Sequence, residues 1–297
     1  MMRVTQSMIS NNLLSNLNRS YAKMDKYFDQ LNTGKKFSRP SEDPVAALKG
    51  IGYRTELHRI EQYQRNTGEV QNWFDNTDAA LEQANSGLQR LRYLAVQASN
   101  GTYGEGELKN IAEEAEQIKQ DLIDVANTKV NDKYIFNGTK TNEPPVKIVD
   151  GEVVPNFDEN AVEIEIAAGV NITVNSDGNK IFTDEEADMF AVIDSFIESL
   201  KSGNADGEID QSIAALDGVI DNVINAQADL GARMNRLELV ENRLEQQEIV
   251  ATGSLSANED VNYAEAITNL ITQQSIHQAA LASGSRIIQP SLVDFLR

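Results

Sequence analysis

His58 and His277 are the only imidazoles in the chain, and cysteine is absent. A metal centre built on nitrogen and sulfur needs several such ligands at close spacing, so neither histidine has the company to hold an ion. A helix surface or a helix seam is the expected place for each. Glu113-Glu114 and Glu185-Glu186 supply adjacent carboxylates. Acid–base hydrolysis also needs a pocket that sets two such groups across a bond, and no pocket signal accompanies them. No Gly-rich phosphate loop joins a strand to a helix, and no Gly-x-Ser-x-Gly elbow occurs. The residues point to a non-enzymatic protein without cofactor, metal or small-molecule substrate.

The elements that would position such residues look like those of a structural protein. Aromatic residues are only 6% of 297, while hydrophobic residues are 40%. Low aromatic mass suits long, thin helical bundles better than a globular enzyme core. The net charge of −20 excludes a nucleic-acid partner, since phosphate binding needs clustered Lys and Arg. Charge is uneven: residues 1–40 hold seven basic side chains against Asp25 and Asp29, and residues 140–206 hold four lysines against fifteen acids. No window approaches the ~20 apolar residues of a membrane span, and no secretory apolar stretch opens the chain. Taken alone, that suggests a soluble cytosolic protein.

Apolar residues alternating at three and four mark helices packed on one another. Leu14, Leu17, Tyr21, Met24, Phe28 and Leu31 form a first series. A second runs from Ile60 to Ala98, a third from Leu108 to Val125 and a fourth from Ile209 to Leu244. The second and fourth each span about 60 Å of helix, so two rods of matched length are expected side by side. The Ser99–Gly104 cluster is read as a turn that folds the third helix back antiparallel. Gly34, Pro40 and Pro44 separate the first two helices, with Ser41 to Asp43 as a cap for the second. Thr252-Gly253-Ser254 is expected to separate the fourth helix from a final one.

Between residues 139 and 207 the period changes to two. Val162, Ile164 and Ile166 alternate with Glu163 and Glu165, and Val170, Ile172 and Val174 with Asn171 and Thr173. Asp150-Gly151 and Asp177-Gly178 supply turn chemistry. A short helix follows with Phe190, Ile193, Ile197 and Leu200 on one face. In the final helix Tyr263, Ile267, Leu270, Leu281 and Ile288 keep the heptad, but Gln274 and His277 interrupt it. Both end helices are expected to be loosely ordered until they pack on each other and on neighbouring subunits.

The fold class is therefore mainly α: a long antiparallel helical-bundle rod with coiled-coil-like paired termini and a small inserted β-rich (α+β) domain. The expected divisions are 1–43 with 253–297 for the terminal pair, 44–139 with 207–252 for the core rod, and 140–206 for the insert.

Several segments resemble the flagellin family. Leu88 to Thr102 is similar to its core helix, and Phe136-Asn137-Gly138 to the stretch where core helices give way to outer domains. Met2-Arg-Val-Thr-Gln-Ser-Met8 through Leu31-Asn-Thr-Gly34, and Asn262 to Ile267 with Ser291 to Leu296, resemble the branch found at the hook–filament junction. Flagellins themselves usually open with Met-Arg-Ile-Asn-His-Asn, from which positions 2–8 depart. The resemblance implies a structural subunit outside the cell, in the flagellum, exported by the flagellar type III pathway without a cleaved signal peptide. It implies that the subunit joins hook-associated protein 1 to flagellin in a ring of identical copies, with an export chaperone on its C-terminal region. A flagellin proper and an intracellular coiled-coil adaptor are the alternatives. The implied assembly interface is Leu14, Leu17, Tyr21, Met24, Phe28 and Leu31 with Ile267, Leu270, Leu281, Ile288, Leu292, Phe295 and Leu296.

Overall fold

Asp43 and Pro44 start the longest helix in the manner their chemistry predicts. The fixed φ of Pro44 suits a first turn, where its missing N–H leaves nothing unpaired, and the Asp43 carboxylate accepts from the Ala46 amide at 2.9 Å. The computed structural model describes residues 6–99, 104–149, 152–184, 187–202 and 208–288. Among these, the chain is mainly α: α1 (Gln6–Thr33), α2 (Pro44–Ser99), α3 (Glu105–Ala126), α4 (Gly178–Phe182), α5 (Met189–Ser202), α6 (Glu208–Glu259) and α7 (Tyr263–Ile288). The strands are β1 (Lys129–Val130), β2 (Lys133–Tyr134), β3 (Val146–Val149), β4 (Glu152–Pro155), β5 (Glu163–Ala167), β6 (Val170–Thr173), β7 (Thr183–Asp184) and β8 (Ala187–Asp188). The chain divides into two units, Met1–Arg59 with Gln247–Arg297, and Ile60–Gln246. Helices α2 and α6 contribute to both.

In the unit formed by residues 60–246, every member of the series from Ile60 to Ala98 is buried except the half-buried Tyr63. Helix α3 lies antiparallel on α2. Arg90 meets Glu114 at 2.6 Å, and Gly87 leaves room for Ile118 and Leu122, which would stand 3.4 Å from an added Cβ. Helix α6 also runs antiparallel to α2, through Arg92–Asp217 at 2.5 Å and Ser99–Asp210 at 3.0 Å. The matched second and fourth series do lie side by side. The expected turn between α2 and α3 falls at residues 100–103, outside the described residues, as do Tyr103 and Glu185-Glu186.

The insert is held by hairpins rather than by one sheet. Its strands pair two by two, β3 with β4, β5 with β6 and β7 with β8, all antiparallel. The alternation around Glu163 and Glu165 is β5, with both glutamates exposed and Ile166 buried. The β5–β6 hairpin is pinned to both long helices. The Asn66 amide donates to the Glu165 carbonyl at 2.7 Å, and Arg233 of α6 donates to the Asn175 carbonyl at 3.0 Å.

Three of the nine phenylalanines gather around a fourth, Phe182: Phe136 edge-on at 5.2 Å, with Phe157 and Phe190 stacked at 5.6 and 6.3 Å. Asp177-Gly178 is not a hairpin turn. Asp177 caps α4, accepting from the Asn179 amide, and Gly178 is bare because an added Cβ would stand 2.2 Å from the Phe157 ring. Asp150-Gly151 lies outside the described residues.

Phe136-Asn137-Gly138 has a local physical reason. Phe136 is fully buried. The Asn137 side chain donates to the Lys140 and Glu143 carbonyls and accepts from the Asp158 amide. Gly138 sits at φ +49, where an added Cβ would come 2.3 Å from the Asp158 carbonyl oxygen. Three consecutive residues, just after β2, thereby lock the loop that leads into the insert.

In the other unit, α6 runs straight through Thr252-Gly253-Ser254, contrary to the expected break there. One glycine costs a helix about 1 kcal/mol, which is too little to end it. The break lies instead at residues 260–262, where two backbone bonds tie it to the end of α1. The Lys36 amide donates to the Glu259 carbonyl at 2.6 Å, and the Val261 amide donates to the Gly34 carbonyl at 2.8 Å. Gly34, at φ +70, ends α1 in the left-handed conformation that glycine tolerates.

Candidate assembly interface

Helices α1 and α7 pack antiparallel within the chain. Leu13 faces Gly284, where an added Cβ would come 2.5 Å from Leu13 Cδ2. The Gln273 amide donates to the Ser20 hydroxyl at 2.8 Å, and the Tyr21 ring stands edge-on to His277 at 4.4 Å. The less exposed face of α1 passes through Leu13, Leu17, Ser20, Met24, Tyr27 and Leu31. That of α7 passes through Ala266, Leu270, Gln273, His277, Ala280 and Gly284. Both faces keep the three-four alternation of a two-helix seam.

The seam is centred to one side of the apolar series read from the sequence. Leu17, Met24 and Leu31 turn toward it and are half-buried, whereas Leu14, Tyr21 and Phe28 are 53%, 59% and 47% exposed. On α7, Leu270 is buried but Ile267 and Leu281 are exposed. Ile288 is the last residue of α7, and Leu292, Phe295 and Leu296 lie outside the described residues. The structure thus brings Leu17, Met24, Leu31 and Leu270 to the seam and leaves Leu14, Tyr21, Phe28, Ile267 and Leu281 exposed beside it. Ile271 and Ile276 add to that outer apolar surface on α7, and Val45, Leu48 and Ile51 expose another apolar face at the start of α2.

The seam residues that pattern reading missed are Leu13 and Tyr27, which stand next to Leu14 and Phe28 of the series, and Ser20, Ala266, Gln273, Ala280 and Gly284. The last five are small or polar, so no hydrophobic period marks them. His277 is buried in the seam, and neither of its ring nitrogens has a partner among the described residues. His58 is exposed on α2.

At one end the pair is fastened by charge. Glu259, its side chain 4% exposed, receives Arg54 Nη2 at 2.6 Å and Lys35 Nζ at 3.6 Å. Gly50 makes the space, since an added Cβ would stand 2.3 Å from the Glu259 Oε1. Lys35 also grips Asp260 at 2.6 Å. The hydrogen bond from Lys35 holds the Asp260 carboxyl below its usual range, and the same bond raises Lys35 above the ordinary lysine value. The Asn258 amide donates to the Ala46 carbonyl at 2.8 Å.

Glu114 is engaged by Arg90, and among the described residues no three His, Asp or Glu side chains converge as metal ligands. No helix of the described residues is long and apolar enough to cross a membrane. What the arrangement offers is surface: a helix pair with large apolar side chains turned outward.

Comparison with known proteins agrees with the architecture. Residues 4–141 match the family model of the bacterial flagellin N-terminal helical region, and residues 213–296 that of the C-terminal helical region, together well over half of the chain. The flagellar hook-associated protein 3 of Escherichia coli (strain K12) is 27% identical over 94% of this chain and 95% of its own length. The flagellin of Bacillus subtilis (strain 168) is 23% identical over 95% and 94%. In fold, the chain is similar to the flagellar junction protein FlgL of Legionella pneumophila, with a TM-score of 0.62 at 19% identity. That likeness covers 71% of this chain and 100% of the other.

Proposed function

The chain belongs to the flagellin family, and from that premise we propose that it is a structural subunit at the hook–filament junction of a bacterial flagellum. The observation that carries the reading is end-to-end similarity to a hook-associated protein 3, covering 94% of this chain and 95% of that one. The likeness to flagellin also runs end to end, at lower identity, and makes a filament subunit the second reading. The departure of positions 2–8 from the usual flagellin opening favours the junction.

In this reading the subunit is a non-enzyme that leaves through the flagellar type III pathway and acts outside the cell. It packs as a ring of identical copies between hook-associated protein 1 and flagellin, and an export chaperone holds its C-terminal region beforehand. The assembly surface is the terminal helix pair, with Leu14, Tyr21, Phe28, Ile267 and Leu281 covered by neighbours. The exposure of these five side chains on an otherwise paired α1 and α7 supports that role. The three-part division, terminal pair, core rod and inserted domain at residues 140–206, belongs to the same proposal.

Deletion of the gene in its host is the test. Cells that keep hooks, lack filaments and shed soluble flagellin into the medium are the expected result. Loss of all exported filament subunit would make the protein a flagellin, and unchanged filaments would overturn both readings.

A further inference from the structure

We propose that Glu259 is a register lock for the terminal helix pair: its buried carboxylate, gripped by Arg54 and Lys35 in the space left by Gly50, fixes which turns of α1 and α7 face each other. Two antiparallel helices with a heptad seam can slip by seven residues and still oppose similar positions. The α1·α7 seam offers little resistance of its own. Its large side chains on α1, Leu13, Leu17, Met24, Tyr27 and Leu31, recur at the same three-four spacing and are only half-buried, and small or polar residues face them on much of α7. The hydrogen bond between Ser20 and Gln273 adds one specifying contact. His277 brings two unpartnered nitrogens rather than a specifying bond.

The fastening at Glu259 differs in kind. Its carboxylate is shielded from water while both cations remain about half exposed, so sliding α1 along α7 would pull Lys35 away and leave a buried charge with Arg54 alone. There is also no slack to absorb a slip. Helix α1 ends at Thr33 and α7 begins at Tyr263, and the residues bonded across are Gly34 to Lys36 and Glu259 to Val261. The Lys35–Asp260 bridge and the close approach of the Tyr263 hydroxyl to Gly34 lie in the same few residues. A lock where α1 ends and α7 begins therefore sets every turn along the pair.

The chain has no cysteine, so two introduced thiols report register without background. In the full-length protein, Ser20→Cys with Gln273→Cys tests the observed register, and Ser20→Cys with Ala280→Cys tests a slip of one heptad. With Glu259 intact, mild oxidation should close the first pair and not the second. Glu259→Gln removes the charge, and Gly50→Ala pushes the carboxylate out of its place while leaving the charge. Each should lower the first disulfide several-fold and raise the second, while amide protection in α3 and α5 stays at its original level. Unchanged yields in either variant overturn the proposal. Loss of the first disulfide without gain of the second also overturns it, since that is release of the pair rather than a change of register.

Discussion

Leu14 and Phe28 offer the cleanest test of whether the outer face of α1 is an assembly surface or part of the fold. Tyr21 lies between them but touches His277, so its replacement would disturb both at once. Leu14 and Phe28 leave about half of their surface open, on the order of 200 Å² together for side chains of this size. At about 25 cal/mol per Å², covering that area contributes at most roughly 5 kcal/mol per subunit. Ordering and desolvation costs reduce what survives as affinity. If even a third remains, Leu14→Ser with Phe28→Ser weakens incorporation more than tenfold, since about 1.4 kcal/mol is a factor of ten. The same double variant should barely change the isolated subunit, because exposed substitutions shift stability within about 0.5 kcal/mol. The assay pairs a urea melt of the purified subunit with filament counts and swarm diameters of cells carrying the variant. An unchanged melt with few filaments is expected. A melt lowered by several kcal/mol would place both residues in the fold of the single chain, and normal filaments would remove them from assembly. Either result refutes the reasoning.

Three further outcomes follow from local geometry. Gly138→Ala should destabilise the subunit by about 2–4 kcal/mol in chemical denaturation, combining left-handed backbone strain with the contact to the Asp158 carbonyl. His277→Leu should stabilise the α1·α7 pair by about 1 kcal/mol, read as slower amide exchange in both helices, because it removes two buried nitrogens without partners. The pH profile should be flat near neutrality and fall at both ends. Asp158, whose pKa is lowered chiefly by the Thr139 hydroxyl, and Asp260, lowered chiefly by Lys35, contribute stability above the ordinary carboxylate pKa of about 4. That contribution is lost as pH falls through their depressed values. Lys35, raised by Asp260, contributes below about pH 10.4 and loses it as pH rises through its elevated value. Thr139→Val should move the acid limb of a thermal-melt series upward in pH, and an unmoved limb would remove Asp158 from the account.

Much of the helical core was legible because its rule is simple. From Ile60 to Ala98 the side chains that recur at three and four are mostly apolar or small, and all but the half-buried Tyr63 are buried, so the period points to the core. The Glu163–Thr173 hairpin was legible for the same reason at period two. Legibility failed where one residue type serves two purposes. Gly253 reads as a stop but is only a weak point in a helix. The true stop at residues 260–262 has neither Gly nor Pro and is imposed by backbone bonds from Gly34 and Lys36, more than two hundred positions away. Asp177-Gly178 carries turn chemistry, and the structure uses the aspartate to cap a helix while the glycine yields space to Phe157. The helix stop at 260–262 and the bare Gly178 both depend on partners distant in sequence.

The terminal pair failed in a different and more informative way. A helix that folds to satisfy itself puts its large apolar side chains inward, and there the hydrophobic period reports the core. Here the order is partly inverted. Ser20, Ala266, Gln273, Ala280 and Gly284 occupy the seam, while Leu14, Tyr21, Phe28, Ile267, Ile271 and Leu281 face outward. Small residues let two helices approach closely with little apolar area buried between them. The outward side chains then have no function within one chain that would outweigh the cost of exposing them to water. A sequence selected for monomer stability would exchange the two sets. Their placement makes sense if the pair is a finished part whose larger hydrophobic contribution comes from what is laid against it. The period read from the sequence therefore marked part of the seam, through Leu17, Met24, Leu31 and Leu270, together with an outward apolar row beside it, and it left the small and polar half of the seam unmarked.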